Sequence, residues 1–414
     1  MAQTNTTSTL DGYFKAIYGD GPINTQADNA ILTKMVKFKT ADRLGKSYQV
    51  PVVLSSEAGF TYLAAGDGLQ TLNDSVAAQS KNAEVDGAQL IGRGAIDYEA
   101  ASKMAGGKAA FAQGSEALVE NLMEAANARL EISMLYGRKG LGKFSSTGSS
   151  TTRAFQFTAA TWAPGIWANK ENANIDVYNS STKINTNAVI TIVSVDFDNR
   201  KINVSGNATD LTACDSSADG YDVYFKGAYG KEMYGLDAII TNSTTMFGID
   251  AATYAMWSGS SYSAGSADLC MQKVLGAVGK AVAKGGLNEP VVCLVNPVTW
   301  MKLNTDQASL RRYDGDSKEK AKNGFQAIEY AGMNGLIEVI AHPGVKQGEA
   351  FIFPPKRLKR VGSSDISFQT PGRQGEIFLH IPDKNGYELR LYANQSLFCE
   401  QPAKTVKITG IVNS

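Results

Sequence analysis

The apolar residues of this chain change period several times, and each period points to an element. Over residues 115–136, Leu118, Leu122, Ala126, Leu130 and Met134 recur at every fourth position, with Val119 and Met123 beside them. That spacing makes one apolar stripe on a helix. The segment holds no Gly or Pro and only two β-branched residues, Val119 and Ile132, so little in it opposes helix propensity. Ser115 suits the start of the helix, and Gly137 followed by Arg138 and Lys139 suits its end. Glu116, Glu120, Glu124 and Glu131 are expected on the outer, solvated face. At 1.5 Å per residue the rod measures roughly 30 Å, enough to cross a domain.

Period two governs much of the rest. Tyr48, Val50, Val52 and Leu54 alternate with mostly polar positions, and residues 85–98 place Ala88, Leu90, Ile96 and Tyr98 on one side against Gln89, Arg93 and Asp97 on the other. The stretch between them is rich in Gly, Ser, Ala, Asn and Asp, too long for a hairpin turn and too polar for a core. It reads as a floppy insertion or as an extended two-stranded arm lying on a neighbouring copy, and the strands on both sides favour the arm. A lone hairpin is unstable in water and needs a partner surface.

Residues 140–153 read as a Gly, Ser and Thr linker. A β-rich section follows, with its clearest signal a hairpin of 188–197 and 201–205 around Asp198 and Asn199, and further strands at 175–178 and 222–225. The character then changes. Residues 266–283 carry Cys270, Val274, Val278 and Ala281 on one helical stripe; 290–295 form a short buried strand; Asn296 and Pro297 open another helix. Strands at 336–341 and 350–353 complete an α/β section. Strands at 376–381, 387–392 and 405–411 are expected to form a sheet against the helix of 115–136.

Composition narrows the functions. Forty basic and forty acidic residues give no net charge, which argues against a dedicated nucleic-acid binder. No positively charged, apolar leader and no run of about 18 apolar residues is visible, so neither export nor a membrane span is expected. The four cysteines are scattered without CxxC spacing and fit small buried hydrophobes in a reducing place of synthesis.

Candidate chemistry is thin. His342 and His380 lie in or beside strands without a nucleophile motif and read as structural. No GxSxG, HExxH or EF-hand pattern occurs. Residues 276–280, GAVGK, fall inside a helix and lack the spacing of a phosphate loop. Asp210, Asp215, Asp219 and Asp222 fit a solvated loop better than a calcium site. No catalytic, cofactor-binding or metal-binding residue is assigned. Lys356, Arg357, Lys359 and Arg360 form the one concentrated basic group, either a protected sheet edge or a charged contact with another subunit or with packaged nucleic acid.

Taken in order, residues 45–62 (GKSYQVPVVLSSEAGFTY), the long helix, residues 294–303 (LVNPVTWMKL) and residues 387–411 (YELRLYANQSLFCEQPAKTVKITGI) resemble the major capsid protein of a tailed bacteriophage. The resemblance implies an α+β chain of the Hong Kong 97-type capsid fold. It divides the chain into an N-terminal arm (1–42), an extended hairpin loop (43–101) and a peripheral domain (102–151 and 365–414) around the spine helix. A β-rich insertion or peripheral elaboration (152–262) and an axial domain (263–364) complete it. It implies a non-enzymatic protein without cofactors that assembles with itself, as pentamers and hexamers, into an icosahedral head around double-stranded DNA.

Implied partners are a separate scaffolding protein, a portal and a decoration or cement protein, with non-specific contact to the packaged DNA. The implied location is the virion, after synthesis in the host bacterial cytoplasm. Residues expected to meet neighbouring copies are Tyr13, Phe14, Tyr48, Val50, Phe60, Tyr62, Arg93, Lys356, Arg357, Lys359 and Arg360. Some members of the family crosslink through a Lys and an Asn; Lys81 lies in the loop, but nothing local identifies its partners. An encapsulin-like nanocompartment shell and a β-rich carbohydrate-binding surface protein are the competing readings.

Overall fold

A computed structural model describes residues 30–36, 38, 47–99, 112–148, 151–215, 220–305, 327–368, 377–382 and 384–413. The central element is the spine helix, Ala112–Tyr136. Its first half follows the four-residue spacing in part: Leu122 is half-buried and Ala126 buried, whereas Met123, expected beside the apolar stripe, is exposed. Its last turns are different: Leu130, Ile132, Met134, Leu135 and Tyr136 are all buried, and so is Glu131. A helix apolar on every side belongs inside a protein, so Glu131 is not on a solvated face as expected.

The spine helix lies on a four-stranded sheet built around the long strand Gly386–Cys399. Ala88–Asp97 pairs along one side of it, and Leu358–Ser367 with the short Phe378–His380 along the other. Glycines let the helix approach: a Cβ on Gly92 would stand 3.2 Å from Leu122 Cδ1, tighter than ordinary contact.

Three expectations change here. The partner of Tyr48–Val53 is Ser80–Val85, not the whole run 85–98, whose body joins the sheet instead. Leu358–Ser367 joins this sheet, although its residues up to 364 are expected in the axial domain. Val406–Ile411, expected here, lies elsewhere.

It lies in a six-stranded mixed sheet in the order Ser260–Ala267, Val406–Ile411, Glu349–Phe353, Val291–Val295, Gly335–Ala341 and Ala327–Gly332. The helix Met271–Gly285 covers one face through Met271, Val274, Ala277, Val278 and Ala281, and ends at Gly286, whose φ of 58° suits glycine. This helix starts later than its sequence pattern predicts because Ser266 and Ala267 end a strand. Pro297–Thr305 opens as expected, with the Asn296 side chain accepting the Val298 N–H at 3.0 Å.

The β-rich section closes on itself. The strands run Tyr221–Phe225, Lys143–Gly148, Thr152–Phe157, Lys201–Ser205, Ile190–Asp196 and Asn174–Asn179, and the last pairs back with the first. The result is a six-stranded antiparallel barrel, a closure that removes free edges. Its interior holds Phe144, Phe155, Phe157, Ile175, Ile192, Val204 and Val223, plugged by Trp162 and Trp167. Lys143–Gly148, read as linker, is a barrel strand. One apolar core continues from this barrel to the buried end of the spine helix.

Candidate assembly surfaces

Among the described residues, the element that exposes the most large apolar side chains is a ribbon. Tyr48–Val53 and Ser80–Val85 pair in register from Tyr48 with Val85 to Val53 with Ser80. Pairing persists beyond the regular strands: the Leu54 N–H donates to the Gln79 carbonyl at 2.8 Å, Ala58 N–H to Val76 at 3.1 Å, and Asn73 Nδ2 to Phe60 at 2.9 Å. At the tip the Asp67 carboxylate accepts the Ala64 N–H at 2.8 Å, and Gly66 turns the chain at φ 98°. The long polar stretch is therefore a two-stranded arm. Along it Phe60, Tyr62, Leu63, Leu69, Leu72 and Val76 are exposed, Tyr62 at 91%.

The root of the ribbon is bound to the body. Ala83 and Val85 are fully buried, and the Tyr48 ring meets Phe398 edge-on at 6.1 Å. The Glu84 N–H donates to the Phe247 carbonyl at 3.0 Å, and Tyr254 Oη to Gln79 Oε1 at 2.6 Å. Lys81 Nζ stands 5.3 Å from the Tyr254 ring centre. Tyr48 and Val50, expected at contacts between copies, are half-buried and pack on their own chain's core, whereas Phe60 and Tyr62 face outward.

The basic group is mostly neutralised within the chain. Arg357 grips Glu289, with Nη2 2.7 Å from Oε1, and reaches Glu400 at 3.5 Å. Lys359 pairs with Glu400 at 2.8 Å, and Lys404 joins Glu289 at 2.7 Å. Hydrogen bonds from Arg357, reinforced by Lys404 against the opposing effect of burial, hold the Glu289 carboxyl down at about 2. Arg360 is buried; it donates to Gln395 Oε1 at 2.6 Å and to Asp365 at 2.8 Å, and its guanidinium lies over Phe38. Only Lys356 of the four is exposed. Arg93 is exposed on the sheet face and paired with the buried Glu388 at 2.7 Å. Tyr13 and Phe14 lie outside the described residues.

Glu131 holds a short helix, Ile31–Met35, against the spine. Its carboxylate accepts the N–H groups of Leu32 and Thr33 and the Thr33 hydroxyl. His342, fully buried, completes the arrangement: Nδ1 accepts the Gly344 N–H at 2.9 Å, which leaves Nε2 to donate to Glu131 Oε1 at 2.9 Å. His342 is thus a structural histidine. The burial signal was present in the apolar residues flanking Glu131, but the other acids of the helix, Glu116, Glu120 and Glu124, concealed it by suggesting one solvated face.

The acidic group separates too. Asp210 accepts the Ala188 N–H at 2.8 Å and the Asn187 side chain at 2.8 Å, and Asp215 pairs with Arg153. Asp219 lies outside the described residues.

Sequence reasoning missed a cleft of about 530 Å³ between the spine helix, the strand Ala88–Asp97 and the barrel loop that follows Phe225. Leu90, Leu122, Phe225 and Met233 supply its apolar lining. The Arg129 guanidinium lies 3.2 Å from the Phe225 ring centre, and burial pulls its pKa down to about 10 against the attraction of Glu232. Burial likewise raises the Glu232 carboxyl, which accepts Ser133 Oγ at 3.2 Å. Lys226 and Lys231 line the cleft and are exposed. These residues come from separate elements, so no local motif joins them.

The whole arrangement matches solved capsid structures. The capsid asymmetric unit of cyanophage A-1(L) aligns with TM-score 0.54 and 12% identity, over 99% of this chain and 100% of that one. The capsid of a native GTA particle aligns at 0.51 and 9% identity, over 99% and 100%. The capsid of the Myoviridae phage XM1 aligns at 0.50 and 7% identity, over 99% and 100%. No family model and no curated protein matches the chain. The chain has the α+β fold of tailed-phage capsid proteins, the Hong Kong 97-type fold.

Proposed function

We propose that this chain is the major capsid protein of a tailed phage, self-assembling as pentamers and hexamers into the icosahedral head that encloses double-stranded DNA. The observation that carries the reading is the ribbon: bound at its root, hydrogen-bonded to its tip, and lined by large apolar side chains left open to solvent. Contiguous exposed apolar surface marks a docking site, and a two-stranded arm is unstable unless something covers it. A surface on the tip that differs from the surface it meets makes a heterologous contact, the kind that closes rings when repeated. Many weak repeated contacts then give a stable shell without high affinity at any one.

Phe60 and Tyr62 are the inter-subunit contacts this reading favours, while Arg357, Lys359 and Arg360 serve the chain's own fold. Scaffolding, portal and decoration proteins, and non-specific contact with packaged DNA, belong to the same reading. Electron microscopy of the purified protein, alone and coexpressed with a scaffolding protein, tests it. Uniform shells are expected; a stable monomer under both conditions overturns it. Shells that retain protein cargo and no nuclease-protected double-stranded DNA in infected cells would instead identify a nanocompartment.

A further inference from the structure

We infer that Tyr254 latches the ribbon at one angle to the body of its own chain, and that opening this latch lets the ribbon swing on its buried root. The inference rests on the shell reading for its consequence and adds to it the device that sets the ribbon's direction.

The ribbon is fastened at two places that differ in kind. At the root, Ala83 and Val85 are fully buried and Tyr48 packs on Phe398, whose ring Phe247 and Trp257 also meet at 5.7 and 6.4 Å. Such a root is released only by unpacking the core. The second place lies roughly 20 Å out along the return strand, from Val85 back to Gln79, at about 3.3 Å per residue. There the Tyr254 hydroxyl donates to Gln79 Oε1 at 2.6 Å, and Lys81 Nζ stands 5.3 Å from the centre of the Tyr254 ring. Gln79 and Lys81 are exposed and Tyr254 is half-buried, so water competes for both contacts. The root is permanent and the latch breakable.

Tyr254 suits a latch because its own support is rigid. Asp250 accepts the Ala252 N–H at 3.1 Å and the Thr253 hydroxyl at 2.8 Å, and the Tyr254 N–H donates back to the Asp250 carbonyl at 3.0 Å. The buried Trp257 anchors the same turn, its indole N–H donating to the Met246 carbonyl at 3.0 Å. The moving side is equally well defined. Gln79 joins both strands, since its carbonyl accepts the Leu54 N–H at 2.8 Å and its N–H donates to Ser55 Oγ at 2.9 Å. A pull on Gln79 therefore turns the ribbon as a unit. Beyond it, among the described residues, no hydrogen bond ties residues 56–78 to the body.

Leverage makes the latch consequential. From Gln79 to Asp67 the arm is about 40 Å long at about 3.3 Å per residue, so a swing of about 10° moves the tip by roughly 7 Å. In a shell built of both pentamers and hexamers, five copies around a point dome more steeply than six, and the same ribbon has to meet its surroundings at more than one angle. A rigid ribbon fits one setting; a latched one fits both.

Pulsed electron spin resonance tests the latch on the full chain in solution. Spin labels go on Leu72→Cys in the arm and Asn199→Cys in the barrel, both exposed sites, in a Cys270→Ser background, the other cysteines being buried. The wild-type latch should give one narrow distance distribution. Tyr254→Phe, which keeps the ring and loses the hydroxyl, and Gln79→Ala should each at least double its width. Gln79→Glu, which keeps an acceptor for Tyr254, should leave it narrow. The melting temperature should stay the same in all three, because both side chains lie at the surface. Equal widths in the wild type, Tyr254→Phe and Gln79→Ala, or a broad distribution already in the wild type, overturn the inference.

Particles formed with coexpressed scaffold test the consequence. Mixed diameters are expected from Tyr254→Phe where the wild type gives one, and uniform particles from a variant whose ribbon swings freely overturn the role in curvature. The shell reading fails separately. Wild-type protein that forms no particles, with the distance widths as expected, leaves the latch standing and removes the shell.

Discussion

Glu131 and His342 are 211 positions apart in the chain and meet at 2.9 Å in its interior, where the carboxylate also holds the backbone of Leu32 and Thr33. One side chain thus ties an N-terminal segment, the spine helix and the loop after Gly335–Ala341 together. Hydrogen bonds to a charged group contribute about 1.5–3 kcal/mol each when their loss leaves a buried donor unpaired. Glu131→Ala removes the acceptor for several donors at once and is expected to cost about 3 kcal/mol or more. It should also open residues 31–36 to protease before the rest of the chain. Differential scanning calorimetry and timed proteolysis read both effects; unchanged melting with an intact N-terminal segment would show that Glu131 does not hold it.

The ribbon separates folding from assembly. Phe60, Tyr62 and Leu69 touch solvent more than their own chain, so Phe60→Ser, Tyr62→Ser and Leu69→Ser together should change stability by no more than about 0.5 kcal/mol per site. Truncating buried aromatic anchors at an interface costs on the order of 2 kcal/mol, and every copy repeats the loss. The triple variant is expected to be a well-folded protein that gives no shells in electron microscopy. Wild-type particle numbers would count against the ribbon as a contact element.

How far these elements were legible depends on the range of the interactions that make them. The spine helix, the hairpin of Ile190–Asp196 with Lys201–Ser205 and the capping of the helix Pro297–Thr305 by Asn296 are decided within a few residues, and local pattern revealed them. Pairing between distant strands leaves no local mark. Val406–Ile411 reads the same whether it joins Gly386–Cys399 or Glu349–Phe353, and Lys143–Gly148, polar and glycine-flanked, reads as linker until the barrel closes on it. The candidate surface was half legible. Phe60 and Tyr62 stand out as aromatics in a polar stretch, whereas Arg357, Lys359 and Arg360 read as a basic patch because Glu289, Glu400 and Asp365 are brought to them only by folding.

Lys170 gives a pH test. Its side chain is buried beside Arg129, and burial, then repulsion from Arg129, lowers its pKa from 10.5 to about 8 against the attraction of Glu171. A lysine whose pKa is depressed in the folded state binds its proton more weakly there than in the unfolded chain, and that difference favours unfolding. The penalty is full below about 8 and shrinks as pH rises toward 10.5, so this group makes stability increase with pH across that window. Lys170→Met should stabilise the protein at pH 7 by about 1–2 kcal/mol, with the gain fading as pH approaches 10.5. Urea unfolding at pH 7, 9 and 10.5 measures the trend; equal effects at all three would exclude Lys170 as its source.

Lys407 poses the opposite case. It is buried on the strand Val406–Ile411, with Nζ 2.8 Å from both Asp237 Oδ1 and Glu349 Oε1, where the barrel side of the chain meets the six-stranded sheet. Burial pulls the ammonium's pKa down, but Glu349 and Asp237 more than offset it, so the pKa lies above the ordinary value. Removing one member of a buried pair costs about 3–5 kcal/mol because the remaining charge is left without compensation. Lys407→Met is therefore expected to be severely destabilised at pH 7, with two carboxylates left together near Lys346. Lys407→Met combined with Asp237→Leu should recover part of the loss at pH 7, since fewer uncompensated charges then remain in the buried cluster. Chemical denaturation of the wild type and both variants at pH 7 decides it. A deficit that the second substitution deepens would mean that lost packing, not the unpaired charge, sets the cost.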